Sequence, residues 1–419
     1  MSNKNKNVPT LRFKEFEGEW ENKLFGDLYS FKKTNSLSRD KLNYDKGTVK
    51  NIHYGDIHKR FNAIFNIKDE KVPFINSDID LSKIALENYC EEGDLVIADA
   101  SEDYSDIGKT IEIKSLNNEK VLAGLHTFLA RRKFKLATGF IAFLFKNHNV
   151  KLKVMRIAQG TKVLSISTKR LSKIPLPFPS LAEQKKIATF LTAIDKRLQL
   201  LEQKKERLEQ YKKGVMQQLF SQAIRFKKDD GTEYEDWEEK KLGEILIERK
   251  EFAIKSEGLE HISLTKKGVV PKSNRYMRDF LVNNDDTKKY KITKLNDICY
   301  NPANLKFGVI CRNKYGLGIF SPIYITFEVL KNSYIFMEYF LTRKDFITKA
   351  RKYEEGTVYE RMAVKPYDLL SFKIEIPSLT EQQKIADFLS SIDKKLELLE
   401  QKIAKTKAYK KGLLQQMFV

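Results

Sequence analysis

The chain has 419 residues, 41% hydrophobic and 32% charged, a balance that supports folded cores and excludes a wholly disordered chain. Lys and Arg outnumber Asp and Glu by 77 to 56, a net charge of +21 spread along the whole length, so a polyanionic partner is expected on folded surfaces and not on a basic tail. Cys90, Cys299 and Cys311 show no CxxC spacing, which argues against a disulfide framework or a zinc site; the N-terminus lacks an apolar leader, no apolar run approaches the roughly 18 residues of a membrane span, and the cytoplasm is the expected location.

The first element is a head, "LRFKEFEGEWENKLFGDL" from Leu11, with Trp20 six residues before Gly26. A body follows whose short runs, "GDLVIADAS" and "VLAGLHTFLA", read as strands joined by Gly and Asn turns. "QGTKVLSISTKRLSKIPLPFPS" then carries a Gly-Thr pair into a proline-rich strand. Next comes "PSLAEQKKIATFLTAIDKRLQLLEQK" from Pro179, where Ser180 and Glu183 have the spacing of a capping box. Apolar residues recur there at alternating steps of four and three: Ile187, Leu191, Ile194, Leu198, Leu201, then Leu208, Val215 and Leu219. That is a coiled-coil seam.

All four elements then recur. A second head opens on "IRFKKDDGTEYEDWEEKKLGEIL" at Ile224, with Trp237 six residues before Gly243. The second body holds "NDICYNPAN" and "SPIYITFEV", and a second Gly-Thr, at Gly356, leads into "PSLTEQQKIADFLSSIDKKLELLEQK" at Pro377. Residues 179–220 and 377–418 agree at 26 of 42 positions without a gap, which marks a tandem duplication. The second seam runs through Ile385, Leu389, Ile392, Leu396, Leu399, Ile403, Leu413 and Met417. Lys205 breaks the first seam where the second has Ile403, and Leu208 stands where the second has Thr406, so each helix suits the other better than itself and an antiparallel intramolecular pair is expected. Gly214 and Gly412 are expected to mark a break, a cap or a close approach. The bodies share little except Asp94-Leu95 before Gly108 and Asp297-Ile298 before Gly308, which points to a common scaffold under changed loops.

The heads, "RFxxFxGxW"-like, and the twice-present "PSLxEQxKIAxFLxxID" resemble the DNA-specificity subunits of Type I restriction-modification enzymes over essentially the whole chain. The resemblance implies an α+β fold of two tandem target-recognition domains, residues 1–178 and 223–376, separated by helices at 179–222 and 377–419 that pair as an antiparallel coiled coil in a pseudo-twofold internal repeat. It implies a noncatalytic subunit in which each domain reads one half of a bipartite double-stranded DNA target and the helices set the spacer. Two methyltransferase subunits and the restriction and translocase subunits are the implied partners, and S-adenosylmethionine, ATP and magnesium belong to those partners, not to this chain.

The competing reading is a stand-alone methyltransferase or nuclease with degenerate motifs. "NPAN" at Asn301 has Asn304 where an amino-methyltransferase stacks the flipped base on an aromatic ring, and "IGKT" at Ile107 has Asp103 where a phosphate-binding loop needs its first glycine. The histidines stand without spaced partners for a metal. Binding roles remain, and base edges are read in the major groove by Arg, Lys, Asn, Gln, Ser or Thr carried on loops. The candidates are His58, Lys59, Arg60, Lys162, Ser165 and Ser167 in the first body, and Lys266, Lys267, Ser273, Asn274, Arg275, Asn304, Lys306 and Arg361 in the second.

Overall fold

A computed structural model describes residues 7–256, 258–266, 268–272, 288–355 and 362–419. The chain forms two compact units, Met1–Lys204 with Leu399–Val419, and Lys205–Leu398. Strands and helices are mixed in both, giving the α+β class.

In the first unit the strands that position the site are β1 (Glu21–Leu24), β2 (Tyr29–Lys32), β3 (Ile64–Asn66), β4 (Leu95–Ala98), β5 (Thr110–Ser115), β6 (Thr127–Arg132) and β7 (Pro175–Phe178). The main sheet has the order β2-β6-β4-β5-β3, antiparallel except for the β5–β3 edge. Its central strand β4 is buried on both faces: Leu95 and Ile97 join one apolar cluster while Val96 and Ala98 join another, as the period of two requires. The head strand β1 pairs antiparallel with β7, which runs directly into helix α1 (Leu181–Phe220).

The second unit repeats this plan with β8 (Glu238–Lys241), β9 (Leu246–Glu248), β10 (Ile298–Tyr300), β11 (Ile310–Arg312), β12 (Ile325–Val329) and β13 (Lys373–Ile376). Its sheet order, β9-β12-β10-β11, matches β2-β6-β4-β5 strand for strand, and head strand β8 pairs with β13 just before helix α2 (Leu379–Gln416). The common scaffold expected from the two Asp-apolar pairs is present. Asp94, 1% exposed, is gripped by both arms of Arg131 at 3.0 and 2.7 Å, and Asp297 by both arms of Arg249 at 2.8 and 3.0 Å.

The duplicated sequence is explained by what it holds together. Ser180 accepts the Glu183 amide at 3.3 Å and Ser378 the Glu381 amide at 3.4 Å, which is half of each expected capping box. The glutamates do not reach back to the cap. Glu183 instead takes a two-pronged bond from the head residue Arg12, 2.8 Å on both prongs, with Trp20 Nε1 donating to it at 3.2 Å. Glu381 is held in the same way by Arg225 at 3.1 and 2.8 Å. The adjacent glutamines turn inward: each donates to the carbonyl of its own helix-leading proline, Pro179 or Pro377, at 2.9 Å. The head phenylalanines add edge-on ring contacts, Phe13 with Phe190 and Phe226 with Phe388.

Inside each unit the helix segments run antiparallel. Asp195 pairs with Lys410 and Glu202 with Lys407 in the first unit, and Lys212 pairs with Asp393 at 2.5 Å in the second. The shared "ID" of one helix thus meets the shared "YKK" of the other. Ile187, Leu191 and Ile194 share a core with Leu413 and Met417; Ile385, Leu389 and Ile392 share one with Val215 and Leu219. Leu198, Leu399 and Ile403 are buried, and Leu201, Leu208 and Leu396 half-buried. The expectation for Gly214 and Gly412 is corrected: both lie within unbroken helix, and a Cβ there would meet nothing within 4 Å.

Two outcomes follow from these buried charges. Arg12→Met leaves Glu183 buried without its counter-charge and is expected to destabilise the first unit by about 3–5 kcal/mol, with most of that recovered by adding Glu183→Gln, whose amide oxygen still accepts from Trp20; denaturant unfolding in a Trp237→Phe background, where Trp20 reports the first unit, measures both. Glu112, 1% exposed on β5, is pushed up to about 7 by desolvation, against which the Ala142 amide, 3.3 Å away, works. A raised folded-state value means the group favours folding below the ordinary carboxylate range and loses that contribution as pH rises through about 7. Glu112→Gln is therefore expected to gain on the order of 3 kcal/mol relative to the native chain between pH 5 and pH 8, read from paired unfolding curves.

Candidate nucleic-acid interface

In the first unit a short helix, Tyr54–Lys59, carries His58 and Lys59, and Arg60 ends it. His53 starts it by accepting the Gly55 amide at 3.1 Å, and buried Asp56 on its inner face draws in Arg39 at 2.7 Å. His58 Nε2 lies 3.0 Å from the Ala100 carbonyl, and Ala100–Ser101 pairs in turn with Leu164–Ser165. One two-residue strand thereby brings the 58–60 and 162–167 candidates to the same edge. Lys59, Lys162 and Ser165 are exposed there. Ser167 has a structural task, accepting the Arg170 amide at 3.4 Å to start the helix Thr168–Leu171.

Residues not singled out from sequence complete this surface. Tyr44 accepts from Arg60 at 2.7 Å, and its ring lies 5.7 Å from the Arg60 guanidinium and 5.0 Å from Lys71 Nζ. His126, at φ +53°, sits 3.3 Å from Asp99 and edge-on to Tyr54. Burial raises the Asp99 carboxyl above its ordinary range. Tyr44, Lys71 and His126 are separated by tens of residues, so no local spacing exposes their grouping; an interleaving of basic and aromatic residues is the only signal.

In the second unit Lys266 stands at the tip of the hairpin Ile262–Thr265 and Gly268–Pro271, close to the 3-10 turn Pro302–Phe307 that carries Asn304 and Lys306. Both lysines flank one aromatic ring, Phe307, that the sequence reading passed over. Lys267, Ser273, Asn274, Arg275 and Arg361 lie outside the described residues. The tempting "NPAN" is a turn start: Asn301, 7% exposed, accepts the Ala303 amide at 3.1 Å. In "IGKT", Lys109 donates to the His58 carbonyl at 2.6 Å, which is the work of a turn lysine. The cysteines are buried, their thiols pushed up by desolvation. Among the described residues no group of three or more His, Cys, Asp or Glu could hold a metal ion, and no helix is long and apolar enough to cross a membrane.

Two like scaffolds bearing unlike basic surfaces define a protein class built for two-part recognition of a polyanion. Comparison with known proteins gives that class its family. The family model for the Type I restriction modification DNA specificity domain matches twice, over residues 17–210 and 234–408. The chain belongs to this family, and membership makes it a DNA-specificity component of a restriction-modification system rather than a catalyst. It is 26% identical over 441 residues to a putative type I restriction enzyme MjaX specificity subunit of Methanocaldococcus jannaschii, covering 98% of this chain and 95% of that one. The MjaVIII specificity subunit of the same organism is 28% identical over 61% of this chain and 64% of its own. The crystal structure of a Type I restriction-modification S subunit from M. genitalium superposes with a TM-score of 0.58 at 15% identity, over 98% of this chain and 99% of that chain, a likeness of fold.

Replacing Lys59, Lys266 and Lys306 singly with Gln is expected to weaken DNA binding about equally for all sequences and to make the slope of log K against log salt shallower by roughly one per lost phosphate contact. Titration of the assembled complex from low to moderate salt checks this; an unchanged slope places those lysines away from phosphates.

Proposed function

We propose that residues 1–178 and 223–376 each read one half of a bipartite double-stranded DNA target, while the helices at 179–222 and 377–419 set the nonspecific gap between the halves. Two methyltransferase subunits dock on this chain, restriction and translocase subunits join through them, and S-adenosylmethionine, ATP and magnesium are bound by those partners in the cytoplasm. The single observation that carries the reading is the repeated sheet, β2-β6-β4-β5 and β9-β12-β10-β11, each following a head held to its helix by the same Arg–Glu pair, yet presenting different side chains outward. A scaffold kept while its surface changes is what two independent half-site readers require.

The base-reading candidates divide by chemistry. His58, Lys59, Arg60, Lys162, Ser165 and Ser167 serve the first half-site, and Lys266, Lys267, Ser273, Asn274, Arg275, Asn304, Lys306 and Arg361 the second. Arginine suits bidentate reading of guanine, asparagine of adenine, and the lysines suit phosphates.

Exchange of residues 1–178 for the corresponding piece of a relative with a different target tests the reading. Mapping of methylated sites in cells carrying the hybrid and its partners is expected to show one half-site replaced, the other retained and the gap unchanged. Replacement of both halves at once refutes independent reading.

A further inference from the structure

We propose that Phe307 is a stacking residue of the second unit, entering the DNA of its half-site and bearing on the face of an unstacked base; this rests on the reading of the chain as a DNA-specificity subunit. Phe307 is 54% exposed although it ends a turn whose Leu305 is fully buried. The turn is held rigidly: Pro302 opens it, Asn301 accepts the Ala303 amide, and Gly308, at φ +77°, closes it by donating to the Leu305 carbonyl at 2.8 Å. A bulky ring is thus presented to water on a stiff support, with little conformational freedom left to lose on contact.

The surroundings select the occupant. Lys266 Nζ lies 5.4 Å and Lys306 Nζ 5.3 Å from the ring centroid, and neither ammonium has a carboxylate partner among the described residues. A half-open ring beside two ammoniums that meet no carboxylate among the described residues fits a nucleotide, whose base stacks on the open part of the ring while neighbouring phosphates meet the lysines. The loop between β4 and β5 occupies the same place in the first unit's sheet and also exposes an aromatic, Tyr104 at 54%. Glu102, Asp103 and Asp106 surround it in sequence, and their charge opposes a phosphate backbone. The inference is therefore confined to the second unit.

Stacking and charge leave different signatures in the complex assembled with its methyltransferase partner. Phe307→Ala is expected to weaken binding to the target duplex tenfold or more with no change in salt slope, because no phosphate contact is lost. It is also expected to abolish the fluorescence change of 2-aminopurine at one position of the second half-site, whereas Phe307→Trp restores both signals and Lys306→Gln flattens the slope. Wild-type affinity and fluorescence in Phe307→Ala overturn the proposal, as does failure of that variant to assemble, which makes the ring a protein-docking contact. If the unaltered complex cannot distinguish its target from unrelated duplex, the DNA-specificity reading fails and this inference falls with it.

Discussion

The fold of each unit depends on one buried ion pair, Arg12 with Glu183 and Arg225 with Glu381. The glutamates are 1% and 0% exposed, so their charges are tolerable only because a guanidinium meets both oxygens. A carboxylate at the third position of a helix has a cheaper local use, closing its own cap. Here it is spent on an arginine 171 residues earlier in the first unit and 156 earlier in the second. Each pair fixes where the head meets the helix, and the strand pairing β1–β7 or β8–β13 follows from that placement. Replacement of such a pair by apolar residues is often neutral for stability, so its repetition in both units speaks for geometry more than for energy.

With the head and helix fixed, the body between them is free to change. The sheets keep their order and their buried Asp–Arg clamps, while edges and loops diverge. The two resulting surfaces differ in kind. In the first unit the guanidiniums of Arg39 and Arg60 are already oriented by Asp56 and Tyr44, and a planar fork held in place suits direct contact with a base edge. In the second unit the described cations beside Phe307 are two lysines, Lys266 and Lys306, compact point charges better matched to phosphates.

Much of the architecture was legible because it is periodic or repeated. The seam from Ile187 to Leu219 and its partner from Ile385 to Met417 show the coiled coil, and a gap-free 26 of 42 match shows the duplication. The destination of Glu183 was not legible, since S-x-x-E is a local pattern and Arg12 is remote. The equivalence of the two sheets was legible only as a trace, in Asp94-Leu95 and Asp297-Ile298. The candidate residues were legible as types and not as places: Ser167 also caps a helix, while Tyr44 and Lys71 beside Arg60, and Phe307 beside Lys266 and Lys306, are neighbours that only folding supplies. Gly214 and Gly412 have no structural account in the described contacts.

The way the units divide the chain has a consequence for how the protein is made. The second unit is one continuous stretch, Lys205–Leu398, whereas the core of the first is finished by Leu413, Leu414, Met417 and Phe418, with the Leu11 amide bonded to the Gln416 carbonyl at 2.8 Å. Synthesis from the N-terminus therefore delivers the first unit's sheet early but withholds the helix turn that seals it. On the ribosome the second unit has all its residues first, and the first unit lacks the ring that packs on Trp20 and Phe140 until Phe418 emerges. Translation order and completion order are reversed in this molecule.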